Sequence, residues 1–244
     1  MLKHFYVSFI ILSYIISTAV MTLFRRDRVS LVDNGRRYIS WVLRALGVRY
    51  IVRGKPEGPV FVSNHLSFID VFTLLSILSC RFVTFTELGR VPGIGIITSL
   101  SHTLLIHRSQ PRLVKQDIEV FEKELLKGVP FVFFPEGSSF DGETLRPFKS
   151  SLFESAIRTG SKVQPVCLRY LQVDGEPITL ANRDRVFYHG DMQLLPQLLG
   201  MLKWKSLVLE VVFCEPIESK GKTRKELAQL SHEAINQHFL SVRS

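Results

Sequence analysis

Residues 129–134 read VPFVFF, six apolar residues with no polar position among them. The run is too short for a buried helix. A strand without a polar side has no face to offer water, so it belongs in the middle of a sheet covered on both faces. The cover must come from the residues around it. Residues 111–127 put Val114, Ile118, Phe121 and Leu125 on one helical stripe, with Gly128 following as a C-cap. Short apolar runs at 49–53, 60–63, 82–86, 162–170 and 207–213 read as further strands, with a turn over 54–59. Helices are predicted over 67–79 and over 148–159, the latter stopped at Gly160. A last helix follows the capping box that Thr223 forms with Glu226, with Leu227, Leu230, Ala234 and Phe239 on its apolar side. Strands alternating with helices predict an α/β layered domain over residues 48–244, with a mixed, largely parallel sheet flanked by helices. Residues 172–206 fit this pattern least; within them YHGDMQLLPQLLGML reads as a helix lying across an exposed apolar surface.

Ahead of that domain, residues 5–24 carry no charge. Twenty helical residues extend about 30 Å, the thickness of a bilayer's hydrocarbon core. A secretory signal is the rival reading, with Ser17, Thr18 and Ala19 as a loose cleavage site, but a signal core runs only ~7–15 apolar residues. The flank also opposes export. Arg25, Arg26, Arg28, Arg36, Arg37, Arg44 and Arg49 stand against Asp27 and Asp33, and such an excess stays cytoplasmic. The expectation is a retained N-terminal membrane anchor over 1–28, either spanning, re-entrant or lying flat. It would hold the protein at the cytoplasmic face of a membrane, as in a bacterial inner membrane. Residues 29–47 follow as an amphipathic interfacial helix, with Leu31, Tyr38, Val42 and Ala45 on one face and Trp41 at the headgroup boundary.

The chain has 244 residues, 46% of them hydrophobic, and a formal net charge of +9. That surplus suits an anionic partner such as membrane lipid, an acidic carrier or nucleic acid. The basic residues do not cluster with interleaved aromatics as a nucleic-acid platform requires, so no nucleic-acid partner is expected. Cys80, Cys167 and Cys214 are widely spaced and odd in number. They read as buried small hydrophobes in a reducing compartment, not as a disulfide framework or a metal site.

Sites in open α/β sheets gather at the carboxyl ends of strands, and three strand ends here carry chemistry. The first is FVSNHLSFID, residues 61–70, where the strand stops at Asn64 and His65. Residues five apart on one helix point about 140° apart. His65 can therefore meet Asp70 only if the histidine lies in the loop, with Ser67 capping the helix that carries Asp70. A carboxylate on one ring nitrogen fixes the tautomer and leaves the other nitrogen to take a proton. No G-x-S-x-G is present, so the nucleophile would come from the substrate. The second strand end is FFPEGSSFDG, residues 133–142. Its turn over Glu136, Gly137, Ser138 and Ser139, with Arg146 and Lys149 just beyond, can form an anion-binding nest. The third is LLIHRS, residues 104–109, where Arg108 can grip a phosphate through two hydrogen bonds.

Taken together and in this order, these stretches resemble the PlsC-type glycerolipid acyltransferases. NHLSFID is similar to their N-H-x-x-x-x-D block. Residues 87–108, ELGRVPGIGIITSLSHTLLIHR, resemble the second block. FPEGSS with LRPFK at 145–149 resembles the third, and VQPVCLRY at 163–170 the fourth. The similarity covers about residues 40–215. It implies a membrane-bound 1-acyl-sn-glycerol-3-phosphate O-acyltransferase, an enzyme of phospholipid biosynthesis. His65 would be the base that deprotonates the hydroxyl of a lysolipid acceptor, and Asp70 its orienting partner. That hydroxyl would attack the thioester of acyl carrier protein or coenzyme A, which serves as co-substrate; no cofactor and no metal are implied. Asn64, Arg108, Glu136, Gly137, Ser138, Ser139 and Lys149 would bind substrate, with Glu136 bracing the loop, and Pro165 would shape the acyl or acceptor pocket.

The chain departs from the pattern at two cations. Ser139 stands where the family's third block has arginine, and Thr86 where its second block commonly has lysine. Relatives with such turns include acyltransferases for larger lysolipids, so a lysophospholipid or a lyso-ornithine lipid is the alternative acceptor. Lys149, Arg146 and Arg158 are the cations that could compensate. A non-catalytic, membrane-attached protein that binds anionic lipid is the alternative of another class.

Overall fold

The protein's structure, a computed structural model, describes residues 2–23, 28–86, 103–107 and 111–242. In chain order its elements are α1 (Leu2–Leu23), α2 (Arg28–Leu46), β1 (Val48–Arg53), β2 (Val60–Ser63), α3 (Phe68–Ile77), β3 (Arg81–Phe85), β4 (Leu104–Ile106), α4 (Pro111–Leu126), β5 (Phe131–Phe133), α5 (Phe153–Thr159), β6 (Val163–Val173), β7 (Glu176–Pro177), α6 (Leu194–Met201), β8 (Leu207–Phe213) and α7 (Arg224–Asn236). The strands form one sheet in the order β1-β8-β6-β2-β5-β3-β4, with β7 paired to β6. β6, β2, β5, β3 and β4 are mutually parallel; β8 runs antiparallel to β6, and β1 is parallel to β8. The expected mixed, largely parallel sheet is therefore found, and its carboxyl ends at β2, β5 and β4 lie along one rim.

Side-chain alternation explains why both faces are apolar. Phe61, Val132, Val166, Leu168 and Tyr170 turn to one face, where Leu43 and Leu46 of α2, Ile69 and Leu74 of α3 and Met201 of α6 cover them. Val60, Val62, Phe131, Phe133 and Val163 turn to the other, beneath Phe121 and Leu125 of α4, Phe153 and Ala156 of α5 and Leu227 of α7. Thirteen to twenty-four such buried side chains on a face supply the main driving force for the fold.

Several expected boundaries move. The helix expected over 148–159 begins only at Phe153, because the Lys149 N–H donates to the Pro135 carbonyl (2.9 Å) and holds that stretch against the β5 loop. The last helix ends at Asn236, so Phe239 lies beyond it while still packing on the core, and Leu230 is exposed rather than inward. The helix expected within 188–202 is present as α6, with Leu195 and Leu199 exposed. Cys80, Cys167 and Cys214 are buried free thiols, and burial pushes Cys80 up to about 12 and Cys214 up to about 11.

The N-terminal expectation changes most. Among the described residues no helix is long and apolar enough to cross a membrane, so the spanning form of the anchor is not found. Instead α1 folds back on α2 as an antiparallel hairpin. Asn34 Nδ2 donates to Ser17 Oγ at 3.0 Å, and Tyr14 lies against Tyr38, with ring centroids 5.3 Å apart. Lys3 Nζ donates to the carbonyls of Leu46 and Trp204, at 2.9 and 2.5 Å, which ties the hairpin to the α/β domain. Ile10 is buried, whereas Phe5, Phe9, Leu12, Ile16 and Val20 form an exposed row.

Candidate active site

β2 carries the chain to the rim and stops at Ser63 because the next side chain replaces the backbone. Asn64 Nδ2 donates to the Leu168 carbonyl (2.9 Å), and its Oδ1 accepts from the Leu168 N–H (2.8 Å), so the amide continues the ladder to β6 after the main chain has turned away. His65 is thereby placed in the loop and not on the helix. Ser67 then starts α3: it is the N-cap, and Asp70 at the third helical position completes a capping box.

The same Asp70 oxygen that caps the helix also holds the histidine. Oδ2 accepts from the N–H groups of Leu66 (2.6 Å) and Ser67 (2.8 Å) and lies 2.8 Å from His65 Nδ1. The Asp70 side chain is fully buried and that of His65 is 16% exposed, so of the two only the imidazole reaches solvent. With Nδ1 occupied, Nε2 makes no hydrogen bond among the described residues. Phe134, just past β5, stacks flat on the imidazole, with centroids 4.0 Å apart and planes 10° apart, and fixes the ring from its face. No serine, threonine or cysteine side chain bonds to the ring among the described residues, so the site offers a base without a protein nucleophile.

The loop after β5 closes on the histidine loop through main-chain and carboxylate contacts. Glu136 Oε1 accepts from the His65 N–H (2.8 Å) and Oε2 from the Arg146 N–H (3.1 Å), while the Phe140 N–H donates to the His65 carbonyl (3.2 Å). Glu136 thus braces the two loops. It is buried, and desolvation pushes its carboxyl up to about 7 against the downward pull of its two N–H donors. The Gly137 N–H closes the turn onto the Phe134 carbonyl (3.0 Å), and its backbone is left-handed, with φ of +87°. Lys149 Nζ lies over this glycine, 2.5 Å from where a Cβ would stand.

Most of the expected residues therefore meet. Asn64, His65, Asp70, Glu136, Gly137 and Lys149 are joined by direct contacts, with Ser138 exposed and Ser139 half-buried on the same turn. Arg146 contributes its N–H to Glu136 and lays its guanidinium over the Phe140 ring at 4.9 Å. Arg158 is not at the site; Glu154 and Glu122 hold it, at 3.0 and 3.5 Å. Pro165 is buried within β6 opposite Val62, its carbonyl accepting from the Cys214 N–H (2.9 Å), so it belongs to the sheet and not to the loops. Arg108 and most of the second block lie outside the described residues.

Two contributors stand outside the expected site residues. Phe134, the first residue of FPEGSS, is one. The other is the stretch after β7, which straps the histidine loop: Val186 offers its carbonyl to Ser67 Oγ (2.7 Å), and the Tyr188 N–H donates to the Leu66 carbonyl (2.9 Å). Phe187 fills the space over Gly142, where a Cβ would stand 2.4 Å from its ring. Only the lone aromatic cluster VFY in an otherwise polar segment could have signalled this strap.

Comparison with known proteins gives a consistent result. Residues 49–169 match the family described as Acyltransferase. The chain is 34% identical over 206 residues to the lyso-ornithine lipid O-acyltransferase of Brucella abortus, covering 80% of this chain and 77% of that one. It is 28% identical over 207 residues to the 1-acyl-sn-glycerol-3-phosphate acyltransferase of Neisseria meningitidis serogroup B, covering 84% and 79%. The fold is shared with the crystal structure of the 1-acyl-sn-glycerophosphate acyltransferase PlsC from Thermotoga maritima, at a TM-score of 0.66 and 21% identity, over 98% of this chain and 93% of that one.

Proposed function

Because the chain belongs to the acyltransferase family, we propose that it is a lysolipid O-acyltransferase that uses His65 as its base. The observation that carries this reading is the 2.8 Å contact between His65 Nδ1 and Asp70 Oδ2 at the strand-end rim, next to the Glu136–Ser139 turn. Nε2 takes the proton of the acceptor hydroxyl as its oxygen attacks the thioester carbonyl. The new C–O bond gives a tetrahedral intermediate; its collapse breaks the C–S bond, and the imidazolium returns the proton to the departing thiolate. Asp70 stabilises the imidazolium in between. Lys149 and the Ser138 and Ser139 N–H groups face the acceptor's polar head.

A lyso-ornithine lipid is the acceptor best supported. The relative bearing that name is the more similar of the two, and Ser139 stands where the phosphatidate-forming pattern has arginine. Arg158 does not compensate, being held by Glu122 and Glu154. This reverses the order of acceptors drawn from the four blocks alone. Lysophosphatidate is the second reading, favoured by the Lys149 ammonium over Gly137. The α1–α2 hairpin would lie in the cytoplasmic face of the membrane with its row from Phe5 to Val20 among the lipid chains.

The test is acyl transfer by the purified full chain to lyso-ornithine lipid and to lysophosphatidate, each with acyl-carrier-protein and acyl-CoA donors. We expect turnover with lyso-ornithine lipid preferred, and a loss of about 10²–10⁴ in kcat for His65→Ala. Full activity in that variant would remove the base, and a clear preference for lysophosphatidate would exchange the acceptors.

A further inference from the structure

Tyr170 has no part in the chemistry described so far. It lies within β6, is 4% exposed, and presents its ring edge-on to Phe187 of the strap, with centroids 5.3 Å apart. Its phenol oxygen lies 2.5 Å from Asp70 Oδ1. The two carboxylate oxygens are therefore used differently. Oδ2 receives two backbone N–H groups and faces the imidazole, and Oδ1 receives the phenol.

A buried carboxylate is tolerated only when its lone pairs are met by donors. Without Tyr170, no donor among the described residues would serve Oδ1, and the carboxylate could turn about its last bond to share its donors between both oxygens. The phenol removes that freedom: only one orientation satisfies every donor at once. We propose that Tyr170 is a positioning residue for acyl transfer, locking the Asp70 carboxylate so that Oδ2 stays on Nδ1 of His65. The inference rests on the reading of His65 as the base. Tyr170 reaches Asp70 from the sheet, not from the motif loop. Phe187 packs against it in turn, so the strap acts on the catalytic pair through the tyrosine ring.

The titratable groups facing Asp70 among the described residues are His65, Tyr170 and, at longer range, Glu136. Removing the phenol frees the carboxylate to turn, so Oδ2 lies on Nδ1 for less of the time and the imidazolium is less well held. The sign follows: the acid limb of the kcat/KM profile moves to lower pH in Tyr170→Phe.

The experiment compares wild type, Tyr170→Phe, Asp70→Ala, the double variant and His65→Ala. Each is assayed with whichever of lyso-ornithine lipid and lysophosphatidate the wild type turns over faster. We expect Tyr170→Phe to lower kcat roughly tenfold with KM little changed, to move the acid limb to lower pH, and to have no further effect in the Asp70→Ala background. An acid limb that is unmoved or moves to higher pH overturns the proposal, whether kcat is kept or falls with the melting temperature. So does an equal loss in both backgrounds. Turnover kept in His65→Ala would instead remove the base itself. His65→Ala inactive with Tyr170→Phe unaltered would remove only the positioning role.

Discussion

Asn64 and Leu168 exchange two hydrogen bonds, at 2.9 and 2.8 Å, across the end of the sheet, with the asparagine side chain standing in for a peptide group. Asn64→Ala leaves both the N–H and the carbonyl of Leu168 without these partners in a fully buried place. Each unpaired group costs about 1–3 kcal/mol. A destabilisation of about 2–6 kcal/mol is expected in urea unfolding, with activity falling as the His65 loop loses its register. Asn64→Asp keeps the acceptor but not the donor and should also unfold early. An alanine variant with a wild-type midpoint would show that the ladder does not need this amide.

Glu136 gives a pH dependence of stability with a definite sign. Its folded-state value is raised from 4.5 to about 7, chiefly by burial. A carboxyl shifted upward contributes no penalty below about pH 4.5, and it destabilises increasingly as pH rises through 7. The slope between these values approaches about 1.4 kcal/mol per pH unit for one group. Glu136→Gln removes that slope but puts an amide where two N–H donors converge, so it should be less stable than wild type at pH 5. Urea midpoints at pH 5, 6 and 7.5 for both proteins measure this.

Lys149 and Gly137 can be separated as binding and backbone contributions. Lys149→Met leaves the turn unstrained and should raise KM for an anionic acceptor by roughly 10–100-fold, the value of one charge-assisted hydrogen bond, with little change in melting temperature. Gly137→Ala forces a side chain into a left-handed residue and into the Lys149 ammonium, costing about 1–2 kcal/mol of stability in addition. Equal effects of the two changes on KM and on stability would contradict this division.

The exposed row on α1 predicts attachment without a span. Phe9→Glu combined with Ile16→Glu places two charges on that row without touching the buried Ile10. Cosedimentation with vesicles containing anionic lipid should fall at least tenfold, since each large apolar side chain removed from lipid forfeits about 1.5–3 kcal/mol. The melting temperature in detergent should stay unchanged. Unaltered cosedimentation would mean that another surface meets the bilayer.

The sheet was legible in the sequence because short, unbroken apolar runs have few other places to go. Its strand-end loops followed, and with them the meeting of His65 and Asp70. Ser67 as helix cap was readable from local chemistry alone. What escaped the sequence depends on residues far apart in the chain. Tyr170 is one hundred positions from Asp70, and nothing near it marks its phenol as a carboxylate donor, although a polar tip in so buried a strand is a hint. The strap at 186–188 was unreadable because its hydrogen bonds come from main-chain groups, which any residues can supply. The helix expected from residue 148 failed for a similar reason: a hydrogen bond from the Lys149 N–H to the Pro135 carbonyl overrode local periodicity. For the apolar N-terminal stretch, composition left spanning, re-entrant and flat-lying forms open, because it does not show which residues pack on α2 and which face outward.

One oxygen of Asp70 both winds the first turn of α3 and orients the imidazole. On the proposed reading of His65 as the base, folding and reactivity are not separable in this loop: until the helix nucleates, the protein has a histidine but no base. The interval of five residues is then a measured length. An acidic side chain one methylene longer, or a loop one residue shorter, would keep the ingredients and lose the alignment, so variation here is more tightly bounded than charge alone would require.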